Sequence, residues 1–288
     1  MTALPPPSPD AQAASAALCR QIAAEIASQG GWISFARYME RALYAPGLGY
    51  YAGGAHKFGA AGDFVTAPEL SPLFAQTLAA QAAQVMGCSA PHIIEVGAGS
   101  GRLAADLLLE LEARGTLPES YAILDLSGEL RARQQATLAE RAPQLAARVR
   151  WLERLPEHFD GLVLANELLD ALPVHLVVWG SEAEPETIFE RGVAVEDDRL
   201  VWQDRPATGR LAERAHALAA EHPMPTGYLS EISLAAGDWT ASWAPILGRG
   251  ALRPMRSGLP PHAFFLPPRR DRPLMCRLAE RAHAAPFY

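Results

Sequence analysis

Residues 95–101 read Glu-Val-Gly-Ala-Gly-Ser-Gly, set between the apolar run His92-Ile93-Ile94 and the segment Arg102-Leu103-Ala104-Ala105-Asp106-Leu107-Leu108. A short buried strand that runs into three glycines at alternate positions and then into a helix is the pattern of a nucleotide-cofactor loop. Gly97, Gly99 and Gly101 let the backbone turn tightly and approach a ligand closely. The spacing also discriminates between cofactors. A dinucleotide fingerprint is Gly-x-Gly-x-x-Gly or Ala, and the position that should be small holds Arg102. Glu95 stands two residues before the first glycine. Such a strand-end acid either serves the cofactor or orders its own loop by accepting backbone amides.

A second apolar run, Tyr121-Ala122-Ile123-Leu124, ends at Asp125. A carboxylate at the carboxyl end of the second strand can accept both hydroxyl hydrogens of a ribose, as an acid about 20 residues downstream does in dinucleotide folds. Leu126 is counted with it as a cofactor contact. The competing role for Asp125 is a charge at the start of the helix that Ser127 and Glu129 open, but the strand-end placement favours the ribose.

The chain has 288 residues, is 49% apolar and carries a formal net charge of −7. That is enough for one large domain or one domain with an insertion, and it argues against a nucleic-acid partner held by phosphate contacts. Lys57 is the one lysine among 25 basic residues, a matter of genome composition. Cys19, Cys88 and Cys276 have no paired spacing, so neither a metal site nor a disulfide framework is expected. No run of about 18 apolar residues signals a membrane span. The opening Met1-Thr2-Ala3-Leu4-Pro5-Pro6-Pro7 lacks a signal-peptide pattern, and the expected location is the cytoplasm.

Residues 1–12 read as a disordered tail and 13–90 as a helical extension with a lid loop. Leu18, Ile22 and Ile26 give an amphipathic helix stopped by Gly30-Gly31, and Ser34 caps a second helix to about Tyr44. A glycine-rich loop, 47–68, precedes a helix started by Ser71-Pro72, with Leu73, Phe74, Leu78, Ala82 and Val85 as its inner face and Gly87 at its end. Residues 91–173 alternate strands (91–96, 121–125, 148–152, 159–165) with helices (102–114, 128–141). This predicts an α/β, Rossmann-like doubly wound parallel sheet with ligands at its carboxyl ends. Residues 174–235 alternate apolar and polar positions over 174–179, 187–196 and 200–203, an inserted antiparallel β meander. A helix carrying Trp239, Trp243, Ile246 and Leu247 should return the chain to the core over 236–288. The sheet is not expected to resume at 251–261, where two arginines and Pro254 break the apolar run of a central parallel strand.

The fourth strand, ending Leu164-Ala165, is followed by Asn166-Glu167-Leu168-Leu169-Asp170-Ala171-Leu172-Pro173. An amide and two carboxylates thus sit at the cofactor end of the sheet. Glu167 and Asp170 are three apart, so a helical turn would set them on one face. Paired there, they can clamp a guanidinium by bidentate hydrogen bonds, aim its nitrogen and take up its proton. The plainer reading is that Asn166 caps the turn and Asp170 solvates it. The long loop 62–74 carries aromatic and apolar residues, which suits a lid. Thr66 and Glu69 would supply its polar cofactor contacts, whereas a helical hairpin strapped on for packing alone would need neither.

The acid-x-Gly-x-Gly-x-Gly order resembles the S-adenosylmethionine (SAM) loop of class I methyltransferases. With Gly62–Phe74, Tyr121–Gln134 and Ala165–His175, and more loosely Pro225–Glu231 and Leu274-Met275-Cys276, the chain resembles the MidA-type methyltransferases. That family includes the mitochondrial complex I assembly factor that dimethylates an arginine. The resemblance implies the class I fold with an N-terminal helical extension and an inserted β region. It implies SAM as cofactor and a protein arginine as acceptor, on a partner such as a respiratory complex I subunit. A homodimer stays open. Two departures stand out: Asp125 replaces the family's usual glutamate, and Met255-Arg256-Ser257-Gly258 replaces its Ile-Asp-Tyr-Gly. The carboxyl end is therefore expected to be altered and truncated. The alternatives are a catalytically weak SAM-binding assembly or scaffold protein, and a nicotinamide oxidoreductase, which Arg102 counts against.

Overall fold

The computed structural model describes residues 7–51, 66–125 and 127–255. In chain order these form α1 (Pro9–Ser28), β1 (Trp32–Ser34), α2 (Phe35–Tyr44), α3 (Ala67–Leu70), α4 (Leu73–Cys88), β2 (His92–Val96), α5 (Arg102–Ala113), β3 (Ser120–Leu124), α6 (Gly128–Arg141), β4 (Val149–Leu152) and β5 (Phe159–Asn166). There follow β6 (His175–Trp179), β7 (Ile188–Glu196), β8 (Arg199–Pro206), α7 (Gly209–Glu221), β9 (Tyr228–Ile232), α8 (Leu234–Ser242) and β10 (Leu247–Met255). They pack as two compact units, one drawn from residues 66–172 and 236–255, the other from 7–51 and 173–235. No helix among the described residues is long and apolar enough to cross a membrane.

The first of these units is a parallel sheet in the order β10-β5-β2-β3-β4. Strands buried on both faces read as continuous apolar runs, and β2, β3 and β5 do so because helices cover both sides. On one side Ile93, Tyr121 and Ile123 pack with Leu103, Leu107 and Leu111 of α5, Leu138 of α6 and Ala79 and Ala82 of α4. On the other, Ile94, Val96, Ala122 and Val163 meet Trp243. The buried residues of α4 are Ala75, Leu78, Ala79, Ala82 and Met86. Of the expected inner face, Phe74, Leu78, Ala82 and Val85 pack on this core, whereas Leu73 is 67% exposed.

Two expectations about the end of this unit are corrected. The return helix α8 stops at Ser242, so Trp243 and Ile246 follow it in a turn and Leu247 begins β10. The sheet does resume: β10 pairs in parallel with β5, Ala251 opposite Leu162 and Met255 opposite Asn166, with a register shift between Leu247 and Gly250. Among the described residues β10 is an edge strand and largely exposed. An edge tolerates Pro254 and the arginines that a central strand excludes.

The other unit is an antiparallel sheet in the order β1-β7-β6-β9, with β8 on the far side of β7. The meander is present, and β1, β9 and α7 add to it. Ile22 and Ile26 of α1 and Tyr38 of α2 pack on Ile33 and Val193, so the first helices cover this sheet. Leu211 and Ala215 of α7 pack on Val177, Trp179 and Ile232. Ser34 caps α2 as expected, its hydroxyl accepting from the Arg37 amide. The first helix begins at Pro9, inside the expected tail. Ser8 accepts the Ala11 amide, proline occupies the first turn and Asp10 suits the helix dipole.

One carboxyl group lies in the apolar core. Glu95 is 1% exposed, and its Oε2 accepts the Tyr121 hydroxyl at 2.6 Å. Burial pushes it up from 4.5 to about 7, the Tyr121 hydrogen bond pulls it down, and the Asp125 charge adds a smaller upward push. Between about pH 4.5 and 7 the folded chain therefore holds a proton that the unfolded chain has lost. Stability falls as pH rises through that window, by up to about 1.4 kcal/mol per unit, and the contribution is flat above it. Glu95→Gln should remove this slope. Urea unfolding of both proteins at several pH values between 5 and 8 checks it: curves that stay parallel would mean Glu95 does not titrate there.

Candidate cofactor and acceptor site

Chain order and sheet order part company between β2 and β5. From β2 the chain moves outward through β3 and β4; it then returns to the opposite side for β5 and β10. Loops leaving neighbouring strands in opposite directions open a crevice at their carboxyl ends, where such sheets bind ligands. The two sequence constellations end on its two banks: Gly97–Gly101 after β2 and Asn166–Asp170 after β5.

The glycine loop adopts the conformation its residues permit. Gly97, Gly99 and Gly101 all have positive φ, of 70°, 55° and 82°. A Cβ on Gly101 would lie 3.0 Å from Gln134 Cα, so the loop is also packed tightly at its rear. A Cβ on Gly99 would meet nothing within 4 Å, which leaves the loop's front open for a ligand. Ser100, 7% exposed, accepts the Arg102 amide at 3.2 Å and donates to Glu69 Oε1. A carboxylate thus stands where α5 begins, the place that receives a pyrophosphate in dinucleotide folds. Arg102 has its own reason to be there. Its Nε pairs with Asp106 at 2.8 Å, and Arg141 of α6 binds the other oxygen of Asp106 at 2.7 Å, a strut between α5 and α6.

Asp125 follows β3, and the Gly97 amide donates to Leu124 O at 3.0 Å, so the acid is placed beside the loop. Its Oδ1 accepts the Ser127 amide at 3.1 Å and its Oδ2 accepts Gln134 Nε2 at 2.9 Å. Asp125 begins the turn into α6 and borders the glycine loop. With Glu69 it makes this bank acidic, which suits a cationic sulfonium and ammonium and opposes a polyphosphate.

On the other bank the shared helical face of Glu167 and Asp170 is corrected. Glu167 has φ 54°, a left-handed conformation rare outside glycine, and the helical turn comprises only Leu169–Ala171. The β10 edge meets it there: the Glu167 amide donates to Met255 O at 2.7 Å, at the point where the chain turns after Asn166. Leu168 then packs back toward the loop, its Cδ1 within 3.1 Å of where a Gly97 Cβ would stand. Asn166 and Glu167 are half-buried and Asp170 is exposed. The two carboxylates flank a turn rather than stack along a helix.

The structure thus brings Glu69, Glu95, Gly97, Gly99, Gly101 and Asp125 to one bank and Asn166, Glu167 and Asp170 to the other. Thr66 precedes α3, its carbonyl accepting the Glu69 amide at 2.9 Å. Leu126 and residues 62–65 of the expected lid lie outside the described residues. Sequence reasoning missed Ser100, Tyr121 and Gln134. Of these Gln134 left a signal, as a polar residue in the row Leu130-Gln134-Leu138 that faces inward on α6.

Comparison with known proteins matches this geometry. Residues 73–288 match the family described as "Putative S-adenosyl-L-methionine-dependent methyltransferase". A crystal structure from Burkholderia thailandensis bound to S-adenosyl-homocysteine superposes with a TM-score of 0.83 at 51% identity, over 92% of this chain and 68% of that one. A native structure from the same organism gives a TM-score of 0.79 at 50% identity, over 92% and 67%. Among curated proteins, the mitochondrial "Protein arginine methyltransferase NDUFAF7 homolog" of Drosophila melanogaster is 33% identical over 59% of this chain and 44% of its own. The Danio rerio protein arginine methyltransferase NDUFAF7 is 31% identical over 55% and 43%. The chain spans less than half the length of these curated relatives. The sheet order agrees with the fold of these structures, and the chain belongs to this family of SAM-dependent methyltransferases, with the class I fold and SAM as the family's cofactor.

Proposed function

We propose that this chain is a protein methyltransferase that transfers a methyl group to an arginine nitrogen of a protein partner, of which a respiratory complex I subunit is the leading candidate. The observation that carries it is Glu167. Its left-handed backbone, tied to β10, sits across the crevice from the glycine loop. Strain of roughly 1–2 kcal/mol at a non-glycine residue persists where the surrounding structure enforces it, and such residues gather at active sites. The curated relatives named as arginine methyltransferases supply the acceptor class.

The residues present fit SAM. The front of the loop is open at Gly99 and its acids oppose a polyphosphate. Asp125 would hold the ribose hydroxyls, with Leu126 beside them, and Thr66 and Glu69 would meet the methionine part. When bound, the cofactor supplies an electrophilic methyl group on a sulfonium. Glu167 and Asp170 would bind the guanidinium N–H groups, Asn166 would support the turn that presents them, and the carboxylates would receive the proton released as the new N–C bond forms. A clamp of this kind works by orientation and by charge set in place before reaction.

Asp125→Ala should weaken SAM binding by about 1–3 kcal/mol through loss of charge-assisted hydrogen bonds. Calorimetric titration measures this, and unchanged affinity would remove the ribose assignment. Glu167→Gln keeps the side-chain shape and should abolish methyl transfer while leaving SAM affinity near normal. Incorporation of labelled methyl from SAM into protein substrates, resolved as methylarginine after hydrolysis, is the readout. An active variant would sink the clamp, and label on a residue other than arginine would sink the acceptor class.

A further inference from the structure

Gln134 is completely buried, on a helix whose other inward residues are apolar. Its side-chain amide uses every polar atom. Nε2 donates to Asp125 Oδ2 at 2.9 Å and to the Gly99 carbonyl at 3.2 Å, and Oε1 accepts the Trp151 indole N–H at 2.8 Å. The orientation is chemically unambiguous, since an indole N–H can only donate while a carboxylate and a carbonyl can only accept. Flipping the amide would set oxygen against both acceptors and nitrogen against the donor. Trp151 on β4 therefore fixes which end of the amide faces the site, and Arg131 stacks on the Trp151 ring at 5.7 Å. Gly101 packs against the Gln134 backbone, so the same residue touches the loop at two points.

We propose that Gln134 is a positioning residue of the cofactor site: it holds the Asp125 carboxylate and the Gly99 carbonyl in one fixed arrangement before the ribose arrives, with Trp151 setting its orientation. This rests on the reading of Asp125 as the ribose acceptor. One oxygen of Asp125 is held by the Ser127 amide and the other by Gln134, which defines its plane. A carboxylate oriented in advance loses less freedom on binding than one that must first leave water. The amide also ties the loop to the strand-end acid through α6, beside the direct bond from the Gly97 amide to Leu124 O.

The test is a double-mutant cycle on S-adenosylhomocysteine affinity, measured by calorimetry on the 288-residue chain, with Gln134→Leu, Asp125→Ala and both together. Gln134→Leu should weaken binding about 10-fold, as expected for one hydrogen bond to a charged group. In the Asp125→Ala background the loss caused by Gln134→Leu should shrink, because part of what Gln134 does is to hold Asp125, and the remainder is its hold on the Gly99 carbonyl. If Asp125→Ala weakens binding and the two losses instead multiply, or if Gln134→Leu binds normally, the positioning role is overturned while the ribose reading stands. If Asp125→Ala binds normally, the ribose reading itself fails and takes this proposal with it. Should Gln134→Leu fail to fold, Trp151→Phe tests the same arrangement from the half-buried end. It removes the donor that fixes the amide and should weaken binding more when Asp125 is present than when it is not. Gln134→Glu adds a readout that packing alone would not move: repulsion from Asp125 should weaken binding at pH 8 and ease toward pH 5 as the introduced carboxyl takes a proton. A pH-independent loss would count against the proposal.

Discussion

The parallel order β10-β5-β2-β3-β4 places the start of the sheet at its middle, and the site follows from that. Because β2 and β5 are neighbours whose chains leave in opposite directions, no connection crosses the gap above their ends. Everything chemical in the unit stands around that gap: the glycine loop leaves β2, Asp125 leaves β3 on the same bank, and Asn166-Glu167 leave β5. The helices on both faces explain why the strands beneath can be almost wholly apolar, and why an acid within one of them, Glu95, is conspicuous. It lies two residues before the glycine loop and accepts the Tyr121 hydroxyl.

Charge gives the crevice its selectivity. Dinucleotide folds leave the helix N-terminus bare to receive phosphate; here Ser100 brings Glu69 to that position. Asp125 adds further negative potential nearby. Under the proposed function, the backbone design that elsewhere recognises an anion would be turned toward a cation by this one hydrogen bond between α3 and the glycine loop, with no change in the strand–glycine–helix scaffold. Arg102, which disqualifies the dinucleotide fingerprint, is paired away from the site with Asp106 and so does not cancel this potential.

Most of the parallel unit was legible in the sequence because its signals are local. Apolar runs, turn glycines and strand-end acids report a strand and its loop within a dozen residues. Strand β10 was not legible, since its residues satisfy an edge rather than a core and only the partner β5 reveals the pairing. Likewise β1, three residues long, depends on β7, over 150 positions away in the chain. Gln134 shows the limit from another side. Its position in an inward row was visible, but its three partners lie on a loop, a strand end and a different strand, and no spacing rule connects them.

The misread end of the sheet proves to bear on the chemistry. Had the chain lacked a strand at 247–255, the Glu167 amide would have no carbonyl to meet, and the backbone could relax into an ordinary helical turn after Asn166. Such a turn would set Glu167 and Asp170 on one face, as their spacing alone suggests. The edge strand accepts that amide at Met255, and Glu167 takes a left-handed conformation away from the helical row. Under the proposed function, a backbone held in place this way would suit a group that orients an acceptor nitrogen. The residues that make 251–255 look unlike a core strand belong to the strand bonded to the Glu167 backbone.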